Sequence, residues 1–217
     1  MVHINQKSGT IMLTQNQLNV FSSFTKYPFK AITRQEVKKI CKEKSNNALS
    51  RAFSQFKHEN LLIEKKVGKS SLFNLNLKND LVYYYLALAN HNRMKKLVAL
   101  SIEDIKDEVK HVTSFFSIAI FGSYAIQEER KDSDLDVAIF CFSREEGDII
   151  KRYLNNAKIK SPLNLDIHVI IKGDMIEMLT NTEENLGKQI ARKHMVIYNH
   201  QLFYDLLNGG MKHVNRI

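Results

Sequence analysis

Gly122 and Ser123 close a short apolar run, Asp134 and Asp136 stand one residue apart at the head of another, and Asp166 is the single acid within LNLDIHVII, residues 163–171. Burying one carboxylate without a partner costs several kcal/mol, and burying two together costs more. Side chains alternate along a strand, so Asp134 and Asp136 are expected on one face. With Asp166 on a neighbouring strand they make a place for Mg²⁺, a hard cation that takes carboxylate oxygens and completes its shell with water and phosphate. A helix starting at Gly122-Ser123 would turn free N–H groups toward an anion, the glycine allowing close approach and the serine hydroxyl adding a donor. Two Mg²⁺ ions beside such a turn can activate an attacking oxygen and stabilise a leaving pyrophosphate in an in-line displacement. His168 shares the face of Asp166 and is read as its neighbour, since magnesium sites use oxygen.

The elements that must position these residues follow from patterning. The chain has 217 residues, 44% hydrophobic and 25% charged, which suits two modest domains with packed cores. Its longest apolar runs, such as 115–121, are too short to span a membrane, and no charged-then-apolar leader is read at its start. Cys41 and Cys141 lie far apart without CxxC spacing, so the expectation is a reduced, cytoplasmic protein with neither disulfide framework nor zinc site. The net charge of +9 is unevenly spread. Residues 1–80 hold 14 basic and 5 acidic side chains, whereas residues 81–217 hold 18 of each. One segment is therefore expected to meet a polyanion.

Three helices are predicted in that segment. Thr14 with Gln17 and Thr33 with Glu36 form capping-box signatures; the first opens a helix running to about Tyr27-Pro28, the second a short helix with Val37 and Ile40 inward. Ser45 caps a third, whose Leu49, Ala52, Phe53 and Phe56 recur at helical spacing. Its other face carries Asn46, Asn47, Ser50, Arg51 and Ser54. Phe73, Leu75 and Leu77 alternate with asparagines as in a strand, Gly68 marks a hairpin turn, and Lys65, Lys66 and Lys69 are expected at its tip. This order resembles a winged helix-turn-helix. The resemblance implies that the third helix enters the major groove of double-stranded DNA while the hairpin lysines meet phosphates. Residues 81–97, with three consecutive tyrosines, read as a buried helix between domains, and Ser101 as the start of another helix.

The pattern Gly122-Ser123, ten further residues, then Asp134-x-Asp136 resembles the motif of the DNA polymerase beta-like nucleotidyltransferase superfamily, most closely the minimal nucleotidyltransferases, over roughly residues 95–217. The fold class that follows is α+β: a winged helix-turn-helix (1–80), a helical connector (81–98) and a nucleotidyltransferase domain with a mixed sheet flanked by helices (99–217). The resemblance implies that Asp134, Asp136 and Asp166 hold two Mg²⁺ ions, with Mn²⁺ as an alternative, and that Asp166 also orients or deprotonates the attacking hydroxyl. Gly122 and Ser123 would contact the triphosphate of an NTP. Such proteins usually continue Ala-Arg-Gly or Ala-Lys-Gly after the motif's serine; here the residues are Ala125-Ile126-Gln127, without the basic side chain or the glycine. The activity implied is transfer of a nucleoside monophosphate to an acceptor hydroxyl. The alternative is a DNA-binding regulator or antitoxin-type protein whose transferase domain senses nucleotide or mediates assembly, with a toxin protein or a second copy as partner.

Overall fold

The computed structural model describes residues 12–26, 28–68 and 70–214. Capping boxes set its first helices. Thr14 and Gln17 bond reciprocally at the start of α1 (Gln15–Phe21), as do Thr33 and Glu36 at α2 (Arg34–Cys41), and the Ser45 hydroxyl accepts from Ala48 N at α3 (Asn46–His58). The first helix stops earlier than its pattern suggests and tightens into a 3-10 turn, Ser22–Phe24. There the Ser22 and Thr25 hydroxyls donate to the carbonyls of Asn19 and Ser22, which competes with continuation of the helix. In the short α2, Val37 is fully buried but Ile40 stays 42% exposed at the rim, not inward as its spacing predicts.

A three-stranded antiparallel sheet, in the order β1-β3-β2, completes this part from β1 (Ile32–Thr33), β2 (Leu62–Val67) and β3 (Ser70–Leu75). Gly68 turns the hairpin at φ +57°, a left-handed conformation that suits glycine. Pairing persists to Val67 opposite Ser70, so Lys65 and Lys66 stand on β2 and on opposite faces of it, rather than at the tip. Lys69 lies outside the described residues. Strand β3 ends at Leu75 because Asn76 turns inward and its Nδ2 donates to Asn60 O at 3.0 Å.

Helix α4 (Leu81–Arg93) buries Val82, Tyr83, Tyr85, Leu86, Ala89 and Asn90. Tyr84 and Leu88, four residues apart, share an outward face and are 66% and 43% exposed, so the helix is not covered all round. Helix α5 (Lys96–Lys110) begins five residues before Ser101. Ser101 lies inside it, buried, its hydroxyl donating back to Leu97 O and meeting Ser161 Oγ at 2.8 Å, which removes the polar penalty that made it look like a cap.

The second sheet has the order β6-β5-β4-β7, from β4 (Ser117–Phe121), β5 (Leu135–Cys141), β6 (Leu165–Ile171) and β7 (His194–Tyr198). It is mixed: β5 and β6 run parallel, joined by α7 (Arg144–Lys160), while β4 is antiparallel to both neighbours. Both faces of the central strands are covered. Ile118, Ile120, Val137 and Ile139 pack with α5 and α7, and Ala119, Phe121, Ala138 and Phe140 belong to the cluster on the other side. That second cluster includes α8 (Lys172–Thr180), α9 (Leu186–Arg192) and α10 (His200–Val214), and runs on through α4 to Phe21, Phe53 and Phe56. Burying each such aromatic is worth about 1.5–3 kcal/mol, so this shared core ties the basic part to the second sheet. Asn90 adds a buried polar tie, its Nδ2 donating to Val196 O at 2.9 Å. Among the described residues no helix is long and apolar enough to cross a membrane.

Two histidines sit in this interior. His194 bonds through Nδ1 to Ile190 O at 2.9 Å and through Nε2 to the Tyr204 hydroxyl at 3.2 Å. Burial lowers the pKa of His194 and of His200 to about 4 each. The unfolded chain then binds more protons than the folded one below pH 6.5, so stability falls as pH drops from about 6.5 toward about 4. The expected loss is on the order of 2 kcal/mol per histidine by pH 5, before ordinary carboxylates titrate. Unfolding midpoints measured from pH 7 to pH 5 check this, and a flat profile over that range contradicts it.

Candidate active site

Strand β4 is buried throughout and delivers Gly122 to one end of the sheet. Gly122 has φ +65°, and a Cβ added there would lie 2.1 Å from Asp136 Oδ2. Only glycine allows the backbone to sit against that carboxylate. The helix it starts, α6 (Gly122–Ala125), is a single turn. The sequence predicts a helix whose free N–H groups face an anion; the helix is four residues long, and its first N–H groups and the Ser123 hydroxyl are the donors it offers. From there the chain passes through residues 128–133 into β5.

The carboxylates are brought together by register. In the parallel β5/β6 pair Asp136 lies directly opposite Asp166. Asp136 is partly buried, and its pKa is raised, first by desolvation, then by the charge of Asp166, with His168 opposing and Asp134 adding to the rise. Asp166 is exposed on an edge strand, and its Oδ2 lies 3.1 Å from His168 Nε2. His168, whose ring lies 5.7 Å from that of Phe121, is thus more than a face neighbour: it holds one oxygen of Asp166. Asp134 precedes β5, is exposed, and is not among the residues lining the cleft, although its charge reaches Asp136.

A cleft of about 800 Å³ gathers Gly122, Ser123, Asp136, Asp166 and His168. That size is ample for a nucleotide-sized ligand. Patterning did not point to the rest of its wall: Glu128, Glu184, Leu186, Gln189, Arg192 and Lys193. The signal available was the Arg192-Lys193 pair ahead of an apolar strand, which gains meaning only once β7 is seen beside β4.

The turn is braced from outside. Arg93, at the end of α4 and half-buried, donates from Nη2 to Ala125 O at 3.0 Å and from Nη1 to the Thr25 hydroxyl, while Gln127 Nε2 donates to Arg93 O at 3.2 Å. Lys26 pairs with Glu128 at 3.0 Å. The basic N-terminal part therefore touches the end of the Gly122–Glu128 turn directly.

Among the described residues no three His, Cys, Asp or Glu side chains form a ready-made metal cage. Mg²⁺ does not require one, since it is commonly held by one or two carboxylates together with substrate phosphates. The raised pKa of Asp136 marks a site where two further carboxylates press on it, which suits a divalent cation.

Of the residues expected to meet DNA, Asn46, Asn47, Arg51, Ser54, Lys65 and Lys66 are exposed and Ser50 is partly so. Two basic residues not singled out from the sequence join them. Arg34 donates to Asn46 O and Ser50 Oγ and lies over the Phe53 ring at 5.8 Å, and Lys38 donates to Asn46 Oδ1 at 2.6 Å.

No curated protein and no solved structure matches the chain. The stretch that carries the Gly-Ser turn, all three aspartates, α9 and β7 falls within residues 103–202, which match the family model described as Polymerase beta, Nucleotidyltransferase.

Proposed function

We propose that this chain is a Mg²⁺-dependent nucleotidyltransferase that moves a nucleoside monophosphate from an NTP to an acceptor hydroxyl, with a winged-helix part, residues 1–80, that binds double-stranded DNA. The observation that carries the first half is the register pair Asp136–Asp166, which lines one cleft with the Gly122-Ser123 turn within the matched segment. Asp136 and Asp166, with Asp134 close enough for its charge to act on Asp136, would hold the metal. Bound there, Mg²⁺ supplies positive charge that offsets the phosphates and favours an oxygen nucleophile. The chain's own residues do the rest. Gly122 and Ser123 receive the phosphates by backbone N–H and hydroxyl. With its Nε2 protonated, His168 donates to Asp166 Oδ2, which leaves Oδ1 to accept the proton of the incoming hydroxyl. The test is transfer of label from an α-labelled NTP to an acceptor in host lysate.

A second reading has its own support. Ile126 and Gln127 stand where related motifs carry a basic residue and glycine, and the turn is tied to Lys26 and Arg93. On that reading the cleft senses nucleotide and the DNA-binding part responds, as a regulator or the antitoxin of a toxin partner.

DNA binding is supported by the exposed basic surface on α3 and β2. In the full chain, Lys65→Ala with Lys66→Ala is expected to lower the slope of log affinity for duplex DNA against log salt by about 1, the loss of one phosphate contact, since the two side chains leave β2 on opposite faces. An unchanged slope in a filter-binding titration would sink this assignment.

A further inference from the structure

Four residues cross one end of the second sheet in strand order. Asp166 is the second residue of β6 and Asp136 the second of β5; Gly122 follows the last residue of β4, and Lys193 precedes the first of β7. The antiparallel pairing of Phe121 with His194 puts Lys193 next to Gly122 across the ladder. Three strand spacings separate Asp166 from Lys193, roughly 14 Å.

Ion pairing in this cleft leaves Lys193 without a carboxylate partner, beside the Asp136–Asp166 pair. Its wall has four carboxylates (Glu128, Asp136, Asp166, Glu184) and, besides His168, two basic side chains, Arg192 and Lys193. Glu128 is paired with Lys26 and Glu184 with Arg192. Arg192 is committed further, its Nε donating to Lys188 O at 3.2 Å. Lys193 Nζ has no ion pair or hydrogen bond among the described residues, while its backbone is well fixed. Its N–H donates to Gln189 O at 3.1 Å, and the next residue is the buried, doubly bonded His194. The 122–127 turn itself, Gly-Ser-Tyr-Ala-Ile-Gln, contributes no cation.

We infer that Lys193 is the residue that holds the pyrophosphate end of the nucleotide, supplying from β7 the positive charge that the Gly-Ser turn lacks. The inference rests on the proposed transfer. An in-line displacement needs nucleophile, α-phosphorus and leaving group along one line, and strand order puts Asp166 and Lys193 at opposite ends of such a line, with Asp136 and Gly122 between them. The acceptor oxygen forms a bond to the α-phosphorus and gives its proton to Asp166. The bond from that phosphorus to the bridging oxygen breaks, and its electron pair leaves on pyrophosphate beside the Lys193 ammonium. A point charge on a flexible stem suits a group that must later depart.

The test uses the full chain and a probe without a base, inorganic tripolyphosphate with Mg²⁺, in titration calorimetry. Lys193→Met is expected to weaken binding about tenfold, the scale of one charge-assisted hydrogen bond. Lys193→Arg should stay within about threefold of wild type, and neither should move the unfolding midpoint, since the side chain is exposed. Equal affinity in Lys193→Met and wild type, alongside loss in Asp136→Asn, overturns the role of Lys193 and leaves the transfer reading standing. A wild-type chain that does not bind the probe overturns both. Equal loss in the Met and Arg variants with a lowered midpoint marks a structural role and overturns the inference.

Discussion

Gly122→Ala is expected to abolish nucleotide binding and lower the unfolding midpoint by roughly 4–8 °C. Two costs add. The backbone there has φ +65°, which disfavours any residue with a Cβ by about 1 kcal/mol. The new methyl group would also fall 2.1 Å from Asp136 Oδ2 and 3.1 Å from its Cγ, so the carboxylate must swing away from the turn. Together these reach about 2 kcal/mol, and each kcal/mol moves the midpoint of a chain this size by roughly 2–4 °C. The functional loss is the larger effect, because the displaced group is the carboxylate that faces the cleft. Gly173→Ala is the control: it lies in α8 with no atom within 4 Å of the added Cβ, and should be neutral or slightly stabilising. Wild-type nucleotide affinity in Gly122→Ala would contradict the close seating of turn on carboxylate.

Asp136→Asn is expected to separate stability from activity. Burial and the charges of Asp166 and Asp134 raise the Asp136 pKa, so the folded state holds that proton more tightly than the unfolded state. Stability is therefore lost as pH rises from the usual carboxylate value, 3.8, through the raised one. Asparagine has nearly the same shape and no charge to bury. Without metal at pH 7 the variant should melt at or above the wild-type temperature, while Mg-NTP should raise the wild-type midpoint and leave the variant unmoved. Transfer should fall by roughly 10²-fold or more, since a charged ligand for the metal is gone. Thermal melts with and without Mg-NTP check both halves. A variant less stable than wild type without metal, yet still stabilised by Mg-NTP, would assign Asp136 a purely structural role.

What could be read from the sequence was local. Thr14, Thr33 and Ser45 announce their helices because a capping hydroxyl bonds only three residues on. That Gly122, Ser123, Asp136 and Asp166 come together at one cleft follows from strand alternation and turn chemistry. The errors share another cause. Ser101 reads as a helix start, but it lies inside α5, because its partner Ser161 is 60 residues away and invisible to local pattern. The pattern of residues 81–97 predicts a fully buried helix, and that of α2 an inward Ile40, yet Leu88 and Ile40 are exposed, because apolar periodicity does not say how far a neighbouring element reaches. Lys193 and Arg93 reach the site through pairing of β7 with β4 and through a bond to Ala125 across 32 residues, both set by tertiary packing. The +9 charge division found the basic N-terminal part, but the Lys26–Glu128 pair joining it to the turn is visible only in three dimensions.

The most direct measurement is label transfer from α-labelled NTPs, with Mg²⁺ and host lysate, by wild type and Asp136→Asn side by side, with released pyrophosphate counted. The expected result is one labelled acceptor class formed by wild type in step with pyrophosphate release, and roughly 10²-fold less in the variant. Equal label in both proteins, or none from wild type with any of the four NTPs, would contradict nucleotidyl transfer at the Asp136–Asp166 pair.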